Sequence, residues 1–240
     1  MPYRRLPNTD AARLRALRRA LEKGREVPPH KLAYQAKTIV RLHKFLPLFA
    51  NIINLQRQSM TSQNNKSKDY YEATRKARLY LSHFVRVMNM AIYRGDLPEE
   101  TRAYFGLPSG VSTVPAMNSE NELMSWGKRI IEGEEYRLRK GGSPITNPTI
   151  ALVKVWYVNF LDEYNFHKTI TKKTLDYNEK TAEMRKEADQ IILEIWNEVE
   201  ASFDSLPDEL KRKACEEYGI VYCFRRSELE NAAAGSKEES

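Results

Sequence analysis

Residues 30–68 read HKLAYQAKTIVRLHKFLPLFANIINLQRQSMTSQNNKSK, and the fold follows from how this stretch divides. Over 30–62, Leu32, Ala36, Ile39, His43, Leu46, Ala50 and Ile53 recur in steps of three and four, the spacing of a bundle seam. Leu42, Phe45, Phe49 and Ile52 form a second stripe that widens the buried face. Pro47 lies inside this helix and leaves the carbonyl of His43 without its helical donor, which predicts a kink. The polar run TSQNNKSK at 61–68 predicts a short turn.

The same period returns three times. Residues 67–94 carry it as Tyr70, Thr74, Ala77, Leu81, Phe84, Met88 and Ala91, ending at Gly95. Residues 148–172 carry it as Ile150, Val153, Tyr157, Phe160, Tyr164 and His167, with Asn147 as the expected cap and Pro148 in the first turn. Residues 176–204 carry it as Met184, Ala188, Ile191, Ile195, Val199 and Phe203, after a break expected in TITKKTLDYNEKT at 169–181. Four helices of similar length predict an all-α fold, an up-and-down four-helix bundle around one shared seam. The expectation is a single domain over 1–225, with a disordered tail over 226–240.

Three features lie outside the four helices. The opening MPYRRLPNTDAARLRALRRALEKG predicts an amphipathic helix, capped by Asn8 and stopped by Gly24, with Leu14, Leu17 and Leu21 as its apolar stripe. The 96–147 crossover carries one further helix at 119–140. After a short helix near 207–218, YGIVYCFRR reads as a strand. A lone strand leaves its amides unpaired, so it needs a partner. PYRRLP, GVSTVP and the same strand of a second subunit all qualify.

Charge is concentrated at one end. The first 25 residues hold eight basic side chains against two acidic ones, a net +6 of the chain's +7. The remainder is therefore close to neutral, which argues against attraction to nucleic acid or anionic membrane over the whole surface. Cys215 and Cys223 match no disulfide framework or zinc spacing. The most apolar run, FLPLFANIINL at 45–55, is too short to span a bilayer, and the N-terminus lacks a signal-type apolar core. A cytoplasmic protein without membrane contact is expected.

Chemistry is sparse in the motifs. The residues three before the four histidines are Val27, Val40, Tyr80 and Tyr164, so the Glu-x-x-His pattern of di-metal bundles is absent, and no metal or cofactor is expected. His43, Pro47, Tyr157, Tyr164 and His167 are the candidates for a polar pocket at the kink. Arg4, Arg5, Arg15, Arg18 and Arg19, with Arg139 and Lys140 of the loop RLRKGGSP, are the candidates for contact with an anion or nucleic acid. Both sets have a plainer reading, as satisfied core residues and as the solvated face of a docked helix.

PYRRLPNTDAARLRAL at the start and EEYGIVYCFRR at the end resemble the ends of an uncharacterised bacterial family of helical-bundle proteins. The resemblance implies a bacterial cytoplasmic bundle and is compatible with the two ends pairing as a clasp. The expected role is non-enzymatic, through protein–protein contact or self-association. A nucleic-acid-associated protein using the basic N-terminus, or a small-molecule binder at the Pro47 kink, is the alternative.

Overall fold

The computed structural model describes residues 3–224. It is mainly helical, with six helices among the described residues: α1 (Asp10–Glu26), α2 (Ala36–Tyr93), α3 (Thr101–Tyr104), α4 (Glu120–Arg139), α5 (Ile150–Ser202) and α6 (Asp208–Glu216). Two short strands, β1 (Tyr3–Arg4) and β2 (Tyr222–Cys223), pair antiparallel with Tyr3 opposite Cys223 and Arg4 opposite Tyr222. Of the three partners open to the C-terminal strand, the N-terminal one is used. Arg225 and the tail expected over 226–240 lie outside the described residues.

The expected turns at 61–68 and 169–181 are both helical, so two helices of 58 and 53 residues stand where four were expected. The physical reason is composition. No Gly or Pro occurs between Pro47 and Gly95, or between Pro148 and Pro207. Ser, Thr, Asn and Gln cost a helix only a few tenths of a kcal/mol each, so polarity alone does not stop one. The hydroxyls also find partners inside the helix: Ser67, Thr169, Thr174 and Thr181 each donate to the carbonyl four residues back, at 2.7–3.0 Å. Pro47 sits inside α2 without ending it. At Gly95, with φ 81°, α2 stops as expected, and the amides of Gly95 and Asp96 close onto the Ile92 and Ala91 carbonyls.

The chain divides into two compact units whose boundaries cross α2 after Gln58 and α5 after Thr174. The single shared seam is accordingly replaced by two apolar clusters. In the first unit, Leu17, Leu42, Phe49, Ile191, Ile195, Trp196 and Val199 form the core, with Ile39 packed against it. In the second, Leu81, Phe84, Met88, Leu123, Ile130, Val153 and Phe160 do so. Each such buried side chain contributes about 1.5–3 kcal/mol. Between the clusters the sequence turns polar. Gln56 donates to Asn178 at 2.7 Å in the first unit, while in the second Ser59 meets Thr174 at 2.7 Å and Gln63 reaches Thr171 at 3.4 Å.

Two registers need adjustment. On α2 Leu42, Phe45 and Phe49 are buried together with Leu46 and Ile53 of the expected seam, whereas its Ala36 and His43 are exposed. On α1 the cap is Thr9, whose hydroxyl accepts from the Ala12 amide, and the helix runs through Gly24. Gly24 is there for space: a Cβ would lie 2.5 Å from Ile39 Cδ1 and 2.6 Å from the Tyr34 hydroxyl. Asn147 likewise gives way to Thr149, whose hydroxyl accepts from the Leu152 amide at 3.4 Å. No helix among the described residues is long and apolar enough to cross a membrane.

Candidate binding groove

The N-terminal basic residues separate into two groups once folded. Arg13 donates to both Asp189 oxygens at 2.7 and 3.0 Å, and Lys23 meets Glu217 at 2.6 Å. Arg4 donates to Asn197 at 2.8 Å and to Glu200 at 2.9 Å, with its guanidinium 5.9 Å from the Trp196 ring centre. These three are holding the fold, and Arg4 leaves the candidate anion set for that reason. Arg5, Arg15 and Arg18 are exposed and make no ion pair among the described residues, and Arg19 has only an exposed contact to Glu22 at 3.7 Å.

Those four arginines share one groove of about 720 Å³. Its floor is apolar, from Leu6, Pro7, Ala12, Ala16, Trp196 and Ile220, and Glu22 and Glu216 also lie on its wall. Three local structures build it. Thr9 starts α1 so that residues 12, 15, 16 and 19 point to one side. The segments flanking the β1–β2 pair, Arg5–Leu6 and Gly219–Val221, joined where Arg5 N–H donates to the Val221 carbonyl at 2.8 Å, form the opposite wall. Gly219, with φ 88°, brings that wall against α1, where a Cβ would stand 3.1 Å from Arg19 Cβ.

The wall is locked from behind. Tyr222 donates to Glu200 at 2.7 Å, and burial, followed by the Glu200 carboxylate, pushes the phenol well above its ordinary range. Cys215, buried beneath it, is raised by burial as well. Asp10 is held below its usual value by the Arg185 guanidinium, which donates to both its oxygens at 2.7 Å.

The pocket expected around His43, Pro47, Tyr157, Tyr164 and His167 divides between the two units. His43 and Pro47 line a shallow groove of about 390 Å³ on the far side of α1, with Arg18, Leu21, Arg25, Leu46 and Ala50. Exposed His43 is therefore a rim residue, not a seam residue. In the second unit the other three are structural. His167 stacks on Tyr70 at 4.6 Å and meets the Ser67 hydroxyl at 3.3 Å. Tyr157 donates to the Met124 carbonyl at 2.8 Å, and Tyr164 packs on Phe160. Burial raises Tyr157 above its ordinary value.

Arg139 and Lys140 are also in the second unit, beside the Tyr136 ring at 5.9 and 5.5 Å. The neighbouring glycine loop is pinned from inside. Glu134 and Arg137 pair at 2.7 and 2.8 Å while buried, Arg137 donates to the Ser143 carbonyl, and Glu134 accepts from the Ile145 amide at 3.2 Å. With the first turn of α5 capped by Thr149, these two cations join no anion-binding cradle.

Sequence reasoning found the arginines of the groove but not Trp196, Glu216 or Gly219 to Val221, which line its other side. No spacing signal ties them to α1, since the strand pairing that brings them there is non-local. No group of three or more metal-ligating side chains occurs among the described residues. Comparison with protein-family models, with curated proteins and with solved structures finds no match.

Proposed function

We propose that the protein acts without catalysis, as a helical binding protein whose arginine-rimmed groove on the first unit takes an acidic, partly apolar segment of a protein partner. The observation that carries this reading is the groove itself: four exposed arginines around an apolar floor, three of them with no ion pair among the described residues. A cationic rim speeds encounter with an acidic partner, and an apolar floor holds its side chains. Arginine supplies the planar fork that carboxylates fit.

A nucleic-acid strand fits the groove less well. Glu22 and Glu216 on the wall would repel phosphates, and Trp196, the one aromatic side chain of the lining, is buried and offers no stacking face. The cytoplasm is the compartment this role implies, in keeping with the free thiols of Cys215 and Cys223.

The test is binding by fluorescence polarisation at about 50 and 200 mM salt. Probes are synthetic acidic–apolar peptides, a DNA duplex and a single-stranded RNA. Peptide binding that weakens roughly tenfold in Arg15→Glu or Arg18→Glu supports the proposal. Nucleic-acid binding with a steep salt dependence, and none of the peptides, overturns it. Sedimentation of the protein alone reads whether a second copy is the partner.

A further inference from the structure

Resting on that reading, we infer that the acidic segment does not stop in the larger groove but crosses α1 at Arg18 and anchors a second apolar side chain in the shallow groove beside Pro47. Two observations carry it. The grooves lie on opposite flanks of one helix, both within the first unit, and Arg18 lines both. The crest between them carries Arg15 and Arg18, exposed and without ion pairs among the described residues, so a path that crosses at these two residues, one turn before Glu22, is cationic.

The second groove has the character of an anchor site. Leu21, Leu46, Pro47 and Ala50 make it almost wholly apolar, and its charged rim is basic: Arg18 and Arg25, with the His43 imidazole beside them. Arg25 makes no ion pair among the described residues. No carboxylate lines it, whereas Glu22 and Glu216 line the first groove. An occupant therefore has its acidic residues over the crest and towards Arg25, flanked by apolar anchors.

Helix thickness sets the spacing. With side chains an α-helix is about 10–12 Å across. The two anchors must bridge about that distance, which needs about three or four residues of extended chain at ~3.3 Å each. A helical occupant would need about seven residues at ~1.5 Å each.

The experiment selects a random 16-residue peptide library, displayed on phage, against the full chain. Enriched peptides are resynthesised and titrated. The expected peptides carry two apolar anchors at one of those spacings with Asp or Glu between them. Val221→Glu, in the first groove, and Ala50→Gln, in the second, each weaken binding five- to tenfold while circular dichroism stays unchanged. Removing the anchor that serves the second groove from the peptide has the same effect, and combining that truncation with Ala50→Gln adds nothing further.

Peptides that respond to Arg15→Glu and Val221→Glu but not to Ala50→Gln overturn the crossing and leave the single-groove function standing. Selection of peptides without acidic residues overturns both.

Discussion

Ser59 and Thr174 meet hydroxyl to hydroxyl at 2.7 Å, both buried, where the apolar stripes of α2 and α5 give way to polar residues. The direction of the bond follows from the neighbours. Thr174 has one proton and places it on the Ile170 carbonyl at 3.0 Å, so Ser59 is the donor to Thr174. Ser59→Ala then removes a donor and leaves Thr174 satisfied, at a cost of under about 1 kcal/mol. Thr174→Val strands the Ser59 hydroxyl and costs about 1–2 kcal/mol. The double variant is no worse than Thr174→Val alone. Urea unfolding of the four proteins checks the order.

Asp10 and Arg185 make a pH-dependent tie in the first unit. Because the folded carboxyl titrates below its ordinary value of 3.8, its contribution is present above that value and is lost as pH falls through the lower, folded one. Both side chains are partly exposed, so screening limits the bidentate pair to about 1 kcal/mol at neutral pH. Asp10→Asn should show that deficit at pH 7 in thermal unfolding. The gap to the wild type should close below about pH 4.

Gly219 sets the wall of the groove. Gly219→Ala places a side chain at φ 88° and against Arg19, at a cost of about 1–2 kcal/mol. Thiol chemistry reads the consequence locally. In the wild type a thiol reagent should modify half-buried Cys223 first and buried Cys215 slowly, its thiol further suppressed by desolvation. In Gly219→Ala the second thiol should react several-fold faster.

Glu134 and Arg137 carry the second unit's buried ion pair, with side chains 1% and 5% exposed. Glu134→Ala leaves a guanidinium buried beside the Ser143 carbonyl and frees the Ile145 amide. The expected loss is about 3–5 kcal/mol. Arg137→Lys recovers little of the geometry, because a lysine cannot make the two-pronged contact. Thermal unfolding monitored at 222 nm measures both.

The candidate site was legible only on one side. Arg15, Arg18 and Arg19 are near neighbours on α1, so helical spacing brings them out together, while Arg5 is placed by its link to Val221. That Arg4, Arg13 and Lys23 are consumed by Glu200, Asp189 and Glu217 was not legible, because those partners are remote in the chain. His43 shows the opposite error. Its three-four spacing suited a seam, but Leu42, Phe45 and Phe49 next to it are larger and took the buried face, turning His43 to solvent.

The amino-acid order by itself determined the helical class and most of the registers. Tyr70 to Ala91 and Met184 to Phe203 face inward as their spacing requires, because a period of 3.6 is a local property of the backbone. It also held the signal for two long helices, in the absence of Gly and Pro, though polar runs resemble turns when their partners are unseen. Only the tertiary structure decided that Ser59 would answer Thr174, that the buried side chains would form two clusters, and that Tyr3 would pair with Cys223. Each of these joins groups far apart along the chain. Their free energy depends on which surfaces meet, and no local pattern encodes that.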